Sequence, residues 1–177
     1  MARRSREMRH DWAAAYVAQA REDLEAAKRL QGRHASVLAM LLQMVFEKLS
    51  KAALLYGKKV TVDDVQRSHT TAVSLMAIFR RHPNLLDLFP GKHQRKWLST
   101  ITLVEALSKL HPSLVDHGPQ LEYPWELEDG TVQSPVNDLT PNLRSLWKSP
   151  EEELKRLADL FTFATVLAEN AERLFKG

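Results

Sequence analysis

The chain has 177 residues, enough for one domain with a hydrophobic core and too few for two ordinary domains. Hydrophobic residues make up 44% and charged residues 27%, a balance that is typical of a globular protein and excludes a disordered one. The sequence has no cysteine, which excludes disulfides, cysteine-ligated zinc and thiol catalysis, and agrees with a cytoplasmic location. The net charge of +3 permits an anionic partner but does not by itself imply one.

The N-terminal part of the chain predicts a basic arm followed by a first helix. Residues 1–10 contain four arginines and no apolar run, so we expect a mobile arm there rather than a signal peptide. From Asp11 to Leu30, apolar residues recur at helical spacing, and Asp11 can cap the helix. Gly32 then follows as a stop signal.

The most apolar stretch of the chain, Ser36 to Tyr56, predicts a helix that is buried by its neighbours. Residues at three- and four-residue steps leave one polar stripe on it: Gln43, Glu47, Ser50 and Lys51. These polar groups make a membrane span costly, which indicates a soluble bundle with no membrane partner. Gly57 is expected to end the helix as a left-handed residue.

The segment after Gly57 allows two interpretations, a strand around residues 60–62 or a short helix capped by Thr61. We favour the helix, because Asp64 stands three residues after Thr61, as in a capping box. A further helix is predicted to open at Ser68 and His69 and to end near His82, since Pro83 follows.

The second half of the chain predicts two more helices and a long loop between them. An apolar connection at 84–91 leads to a helix from His93 to Leu110. Five prolines then break residues 111–149, and Glu128-Asp129-Gly130 predicts a turn in this loop. The last helix begins at Pro150, with a capping box on Ser149. The expected fold is therefore all-α, a single up-and-down bundle of about five helices over residues 1–177, with a long proline-containing loop before the last helix.

Four blocks together give the chain a family resemblance. They are the helix led by Trp12, the block QMVFEKLSKAALLYG at 43–57, the block HTTAVSL at 69–75, and Glu122-Tyr123-Pro124-Trp125. In this order they resemble the HEPN family (higher eukaryotes and prokaryotes nucleotide-binding) of prokaryotic toxin–antitoxin and defence systems. The resemblance implies a homodimer that binds RNA or nucleotide, and a nucleotidyltransferase antitoxin or another defence protein as partner.

Many HEPN relatives are metal-independent ribonucleases that use an arginine and a histidine separated by four to six residues. In this chain Arg29 and His34 have that spacing at the first hairpin, and Arg4 and His10 have it in the N-terminal arm. The family motif lies later in the bundle, so the resemblance implies binding without nuclease activity. Two alternatives stay open: an active metal-independent endoribonuclease, and a helical interaction or dimerisation module.

Candidate nucleotide or RNA contacts are cations and one histidine: Lys51, His69, Arg80, Arg81, Lys92, Arg95 and Lys96. Lysine and arginine beside Trp97 suit phosphate binding with base stacking. Structural interpretations are also available for several of them. Lys51 can pair with Glu47 along one helix, His69 can satisfy local backbone groups, and arginines at a helix C-terminus complement its dipole.

The sequence predicts no metal site and no cofactor. A di-iron bundle needs Glu-x-x-His on two helices, and the chain has this pattern once, from Glu7 to His10. His111, Asp116 and His117 are close in sequence but have no further obvious ligand. The chain also has no glycine-rich phosphate loop.

Overall fold

The structure, a computed structural model, describes residues 2–57, 60–89, 94–115, 120–136 and 150–175. The described residues form six α-helices: α1 Ala2–Arg29, α2 Ala35–Tyr56, α3 Val62–Arg67, α4 Thr71–Arg81, α5 Gln94–Ser108 and α6 Pro150–Phe175. Two 3-10 helices, Pro83–Leu88 and Pro112–Leu114, and a two-stranded sheet complete the elements. The all-α prediction is confirmed.

The α2 helix lies at the centre of the bundle and packs against each of the other five helices. With α1 it forms an antiparallel hairpin, in which His10 contacts Tyr56 near one end and Asp23 pairs with Lys48 further along. The hairpin follows from the apolar periodicity of both segments, as predicted. Among the described helices, none combines the length and the apolarity that a membrane crossing needs.

An aromatic cluster fills the space between α2, α4, α5 and α6. Its centre is Phe163 on α6, whose ring lies 4.6 Å from that of Phe89 and 5.8 Å from that of Trp97, measured between centroids. Phe46 of α2 and Phe79 of α4 complete the contacts at 6.1 and 5.7 Å. Burial of these rings ties the connection after α4 to the last helix, which is far away in sequence.

The structure corrects the predicted start of the first helix. α1 begins at Ala2 rather than at Asp11, so Asp11 is no N-cap, and residues 2–10 are helical rather than a mobile arm. Nothing in residues 2–10 breaks a helix, since the segment contains neither glycine nor proline. A basic composition is therefore compatible with a helical backbone here.

Two glycines end helices in different ways. Gly32 adopts a left-handed φ of 74° and stops α1, as predicted. Gly57 has a φ of −71°, so the left-handed conformation predicted for it is wrong. The chain leaves α2 through an ordinary right-handed residue whose N–H still bonds to Ala53.

The signals around α3 and α4 are mostly confirmed. Thr61 and Asp64 form the predicted capping box, with a bond of 3.2 Å from the Asp64 N–H to Thr61 Oγ1. The next helix, α4, starts at Thr71 instead of Ser68, which leaves His69 in the connection between helices. It ends at Arg81 before Pro83, as the missing proline N–H requires.

The long loop before α6 contains more structure than the sequence predicts. Its described part includes a hairpin, in which Trp125–Glu126 pairs antiparallel with Val132–Gln133. The predicted turn is confirmed, with Gly130 at a φ of 80° and the Asp129 carboxylate accepting from the Thr131 N–H. Trp125, in the first strand of the hairpin, is buried. Ser149, the predicted cap of α6, lies outside the described residues.

Replacing Phe163, the central ring of the aromatic cluster, tests how much the cluster contributes to the stability of the fold. We expect Phe163→Ala to lower the free energy of unfolding by about 3–5 kcal/mol, because a fully buried ring leaves a cavity. Urea unfolding followed by circular dichroism measures the loss. Leu154→Ala, an exposed leucine on the same helix, is the control and should change it by less than about 0.5 kcal/mol.

Candidate functional site

The polar stripe of α2 is buried rather than exposed. Gln43 is 2% exposed and the Glu47 side chain only 13%, because α1, the α3–α4 connection and the end of α5 cover this face. Ser50 satisfies its hydroxyl locally by donating to the Phe46 carbonyl. Gln43 donates weakly to Glu47 at 3.5 Å, and its Oε1 has no hydrogen-bond partner. A buried carboxylate needs compensation, and its partners define the site.

Lys51 supplies the nearest countercharge. Its Nζ lies 2.8 Å from Glu47 Oε1, and its side chain is 8% exposed, so the predicted i,i+4 pair exists but is buried. On the side of α1, the ammonium lies 5.8 Å from the centre of the Tyr16 ring. Burial raises the pKa of Tyr16, and the Glu47 carboxylate adds to this effect. The phenol therefore stays protonated near neutral pH.

His69 brings a second group to Glu47 from the α3–α4 connection. Its Nδ1 lies 3.3 Å from Glu47 Oε1 and is buried without a hydrogen-bond partner. The side chain as a whole is 39% exposed, so the accessible part of the ring belongs to its other atoms. One side of the His69 ring thus contacts the Glu47 carboxylate, while the rest of the ring is accessible to solvent.

His111 reaches the same carboxylate from the segment after α5. Its Nε2 lies 3.9 Å from Glu47 Oε2 and 3.9 Å from Glu122 Oε1. The Ser113 N–H donates to His111 Nδ1 at 3.1 Å, which places the proton of the neutral ring on Nε2. Burial lowers the pKa of His111, against the opposing effect of Glu47, so the ring is neutral near pH 7.

The loop that carries Glu122 is fixed at two points beside it. The Leu121 N–H donates to the Leu110 carbonyl at 3.1 Å, and Trp125 is buried. This anchoring brings Glu122 next to His111, although its side chain is partly exposed. The cluster thus combines α2, two connections and one loop: Glu47, Lys51, His69, His111 and Glu122.

The two imidazole rings stack, with centroids 4.2 Å apart and planes inclined by 20°. No phosphate fits between rings at this separation, so the pair does not provide an acid and a base on opposite sides of a scissile bond. One ligand atom from each of Glu47, His69 and His111 lies within 4.8 Å of the others. The arrangement suits shared binding of one small cation better than acid–base catalysis.

The Arg29–His34 pair lies elsewhere. Arg29 ends α1 and His34 precedes α2, both exposed at the hairpin. Glu47 is thirteen residues from His34, about 20 Å along the helix. The structure therefore does not bring this pair to the buried cluster.

The predicted basic cluster is partly used within the fold. Arg80 donates from Nε and Nη2 to both Glu105 oxygens at 2.8 and 2.6 Å, which connects α4 to α5. This hydrogen bonding to Glu105 raises the pKa of Arg80. Arg81 and Arg95 are exposed. Lys92 lies outside the described residues.

Lys96 instead belongs to a groove between α5 and α6 with a volume of about 360 Å³. The α5–α6 groove is lined by Lys96, Ser99, Thr100, Leu103, Lys155, Arg156 and Asp159. Lys96 Nζ lies 2.7 Å from Asp159, and Arg156 donates to Ser99 Oγ at 3.1 Å. The described lining residues, with three cations and one carboxylate, carry a net positive charge.

Sequence reasoning found Lys51, His69 and Lys96 but missed His111, Glu122, Lys155 and Arg156 as their neighbours. His111 is 64 residues from Glu47, and no short motif encodes that contact. Lys155 and Arg156 carried a weak signal, since they stand on the first turns of an amphipathic helix. No protein-family model matches this chain, and no curated protein or solved structure is similar enough to it to identify a relative.

A double-mutant cycle tests whether the buried Glu47–Lys51 pair acts as a unit. We expect Glu47→Gln to lower the free energy of unfolding by up to about 3 kcal/mol, because it leaves the Lys51 ammonium buried without its carboxylate. Combined with Lys51→Met, the loss should fall below the sum of the single losses by about 1–3 kcal/mol.

Urea unfolding of the four proteins measures this coupling energy. The exposed pair Glu25–Lys28, also on one helix and 2.7 Å apart, is the matched control. Its coupling should stay below about 0.5 kcal/mol. Equal coupling in the two pairs would mean that burial adds nothing to the interaction.

Proposed function

We propose that this protein binds the phosphate groups of RNA or a nucleotide in the α5–α6 groove, as a HEPN-like protein of a prokaryotic toxin–antitoxin or defence system. The observation that carries the proposal is the charge of the described lining residues, among which Lys96, Lys155 and Arg156 outnumber one carboxylate, Asp159. Phosphate is the common anion that two or three converging cations bind well.

The size and the polar groups of the groove agree with such a ligand. Its volume of about 360 Å³ lies within the range of roughly 300–1,000 Å³ that small-molecule sites occupy. Ser99 and Thr100 add hydroxyls to the lining. The Thr100 hydroxyl bonds to the Lys96 carbonyl, whereas Ser99 accepts from Arg156 and so holds the guanidinium at the groove.

The Asp159 carboxylate regulates access to Lys96. Lys96 pairs with Asp159 at 2.7 Å and lies 5.1 Å from the centre of the Trp97 ring. A bound phosphate competes with Asp159 for this ammonium. Because the contact between phosphate and ammonium is ionic, added salt screens it and lowers the affinity of the groove. Arg156 has a neutral hydroxyl partner in Ser99, and its charge is available to the ligand.

The resemblance to HEPN proteins supports the ligand class and the partners of this proposal. It implies a homodimer and a nucleotidyltransferase antitoxin or another defence protein as partner. The proposal assigns no nuclease activity, because Arg29 and His34 are exposed at the hairpin and the stacked His69 and His111 rings admit no phosphate between them.

Binding of a fluorescein-labelled, mixed-sequence single-stranded RNA of twelve nucleotides tests the groove. We expect saturable binding that weakens with salt, since phosphate contacts release counterions. Lys155→Ala/Arg156→Ala should weaken it roughly tenfold and reduce the slope of log K against log salt by about 1.4. Fluorescence anisotropy at several salt concentrations gives both quantities, and competition with unlabelled ATP reports nucleotide binding.

Two control variants locate the site on the surface. Lys109→Ala removes an exposed cation just after α5, about 20 Å from Lys96, and should leave the affinity unchanged. Arg81→Ala tests the rest of the predicted basic cluster in the same way. RNA binding that is lost in Arg81→Ala but kept in the groove variant would contradict the proposal, as would the absence of binding to both RNA and ATP.

Incubation with a mixed RNA pool in EDTA tests for nuclease activity. We expect the RNA to stay intact, because Arg29 and His34 are exposed at the hairpin and the stacked His69 and His111 rings leave no room for a phosphate between them. Gel electrophoresis over several hours measures cleavage. Cleavage that disappears in His34→Ala would instead establish a metal-independent ribonuclease built on Arg29 and His34, the alternative function.

A further inference from the structure

The side chains of Glu47, His69 and His111 converge from three separate parts of the chain. None of the three lines the α5–α6 groove. Glu47 comes from the middle of α2, His69 from the α3–α4 connection and His111 from the segment after α5. One ligand atom of each lies within 4.8 Å of the other two. Residues so far apart in sequence meet here only because the bundle brings them together.

We propose that this cluster is a binding site for a divalent transition-metal ion of the zinc type, with Glu47, His69 and His111 as ligands. Two imidazole nitrogens and one carboxylate form a donor set typical of Zn²⁺ sites with three protein ligands and an open position. Mg²⁺ and Ca²⁺ prefer oxygen donors throughout, so the two histidines select against them.

The three donor atoms are near enough to one another to meet a single ion after small movements. Bonds of about 2.1 Å place neighbouring ligand atoms about 3.4 Å apart. One donor atom of each residue lies within 4.8 Å of the other two, with His111 Nε2 3.9 Å from Glu47 Oε2 and His69 Nδ1 3.3 Å from the other oxygen of that carboxylate. The stacked rings must tilt to aim both nitrogens at one point, and the exposure of His69 gives its ring the freedom to do so.

Two buried polar atoms in or beside the cluster have no hydrogen-bond partner, and metal binding gives each a role. His69 Nδ1 is a ligand atom that makes no hydrogen bond, although Glu47 Oε1 lies 3.3 Å away. Gln43 Oε1 is also buried. The nitrogen of the same amide group lies 3.5 Å from Glu47 Oε2, which shows that this amide is next to the carboxylate. It supplies an acceptor for a water molecule in the open coordination position.

The Lys51 ammonium is compatible with a cation at this site. It holds Glu47 Oε1 at 2.8 Å and leaves Oε2, which faces His111, as the ligand atom. Glu122 adds a second carboxylate 3.9 Å from His111 Nε2. One lysine thus stands against two carboxylates, so the cluster is negative before the ion enters.

His111 must exchange one proton position to bind the ion. The Ser113 N–H donates to Nδ1, so Nε2 carries the proton. The ion takes the place of the proton on Nε2, and Nδ1 becomes protonated, so the ring stays neutral. Ser113 Oγ, 2.6 Å from Nδ1, then accepts from it, as a second partner of a metal-bound histidine usually does. The Ser113 N–H then loses its contact with Nδ1, and because it is exposed it donates to water instead.

Titration of the EDTA-treated, dialysed full chain with ZnCl₂ against a chromophoric chelator tests the site. We expect one high-affinity Zn²⁺ per chain and no competition from MgCl₂. His69→Ala and His111→Ala should each weaken the affinity at least roughly tenfold. His82→Ala, an exposed histidine after α4, is the matched control and should bind Zn²⁺ as the unaltered chain does.

A second readout separates loss of the site from loss of the fold. Co²⁺ in place of Zn²⁺ should give the intense visible absorption of a tetrahedral site, and His69→Ala should abolish it while the helical circular dichroism spectrum is kept. The partial exposure of His69 makes this variant the decisive one if His111→Ala does not fold. Undetectable Zn²⁺ binding, or binding that both histidine variants retain, would overturn the proposal.

Discussion

Enclosure of α2 on nearly all sides is the constraint on which the rest of the structure depends. It gives the bundle its core, buries Gln43 and Lys51, and leaves only 13% of the Glu47 side chain exposed. A carboxylate in that position is stable only with partners. Lys51 of α2 itself provides an ammonium, and the surrounding segments bring two imidazoles to it. The hydrophobic burial and the polar cluster are therefore two results of the same packing.

The parts of the fold that local chemistry determines could be predicted from the sequence. The capping box at Thr61, the stop before Pro83 and the turn at Gly130 depend on residues within a few positions of one another. The start of α1 could not, because a basic and polar composition is compatible with both a helix and an irregular arm. Gly57 shows the same limit, since a glycine permits a left-handed conformation without requiring it.

Only part of the polar cluster could be predicted from the sequence. The spacing of Glu47 and Lys51 indicated their ion pair, yet not its burial, which depends on what covers that face of α2. His111 and Glu122 come to the cluster through the anchoring of a loop by Leu121 and Trp125, an arrangement that tertiary packing decides. The basic residues in the sequence were also a poor guide to the positive charge available to a ligand, because the Arg80 guanidinium is hydrogen-bonded to Glu105.

The uninterrupted α1 helix has a consequence for the segment before His10. His10 lies against Tyr56, the last residue of α2, and the backbone of residues 2–9 continues the same helix. A partner that contacted this segment would meet a helix that is already formed. It would avoid the loss of backbone entropy, on the order of 1–2 kcal/mol per residue, that ordering an irregular arm requires.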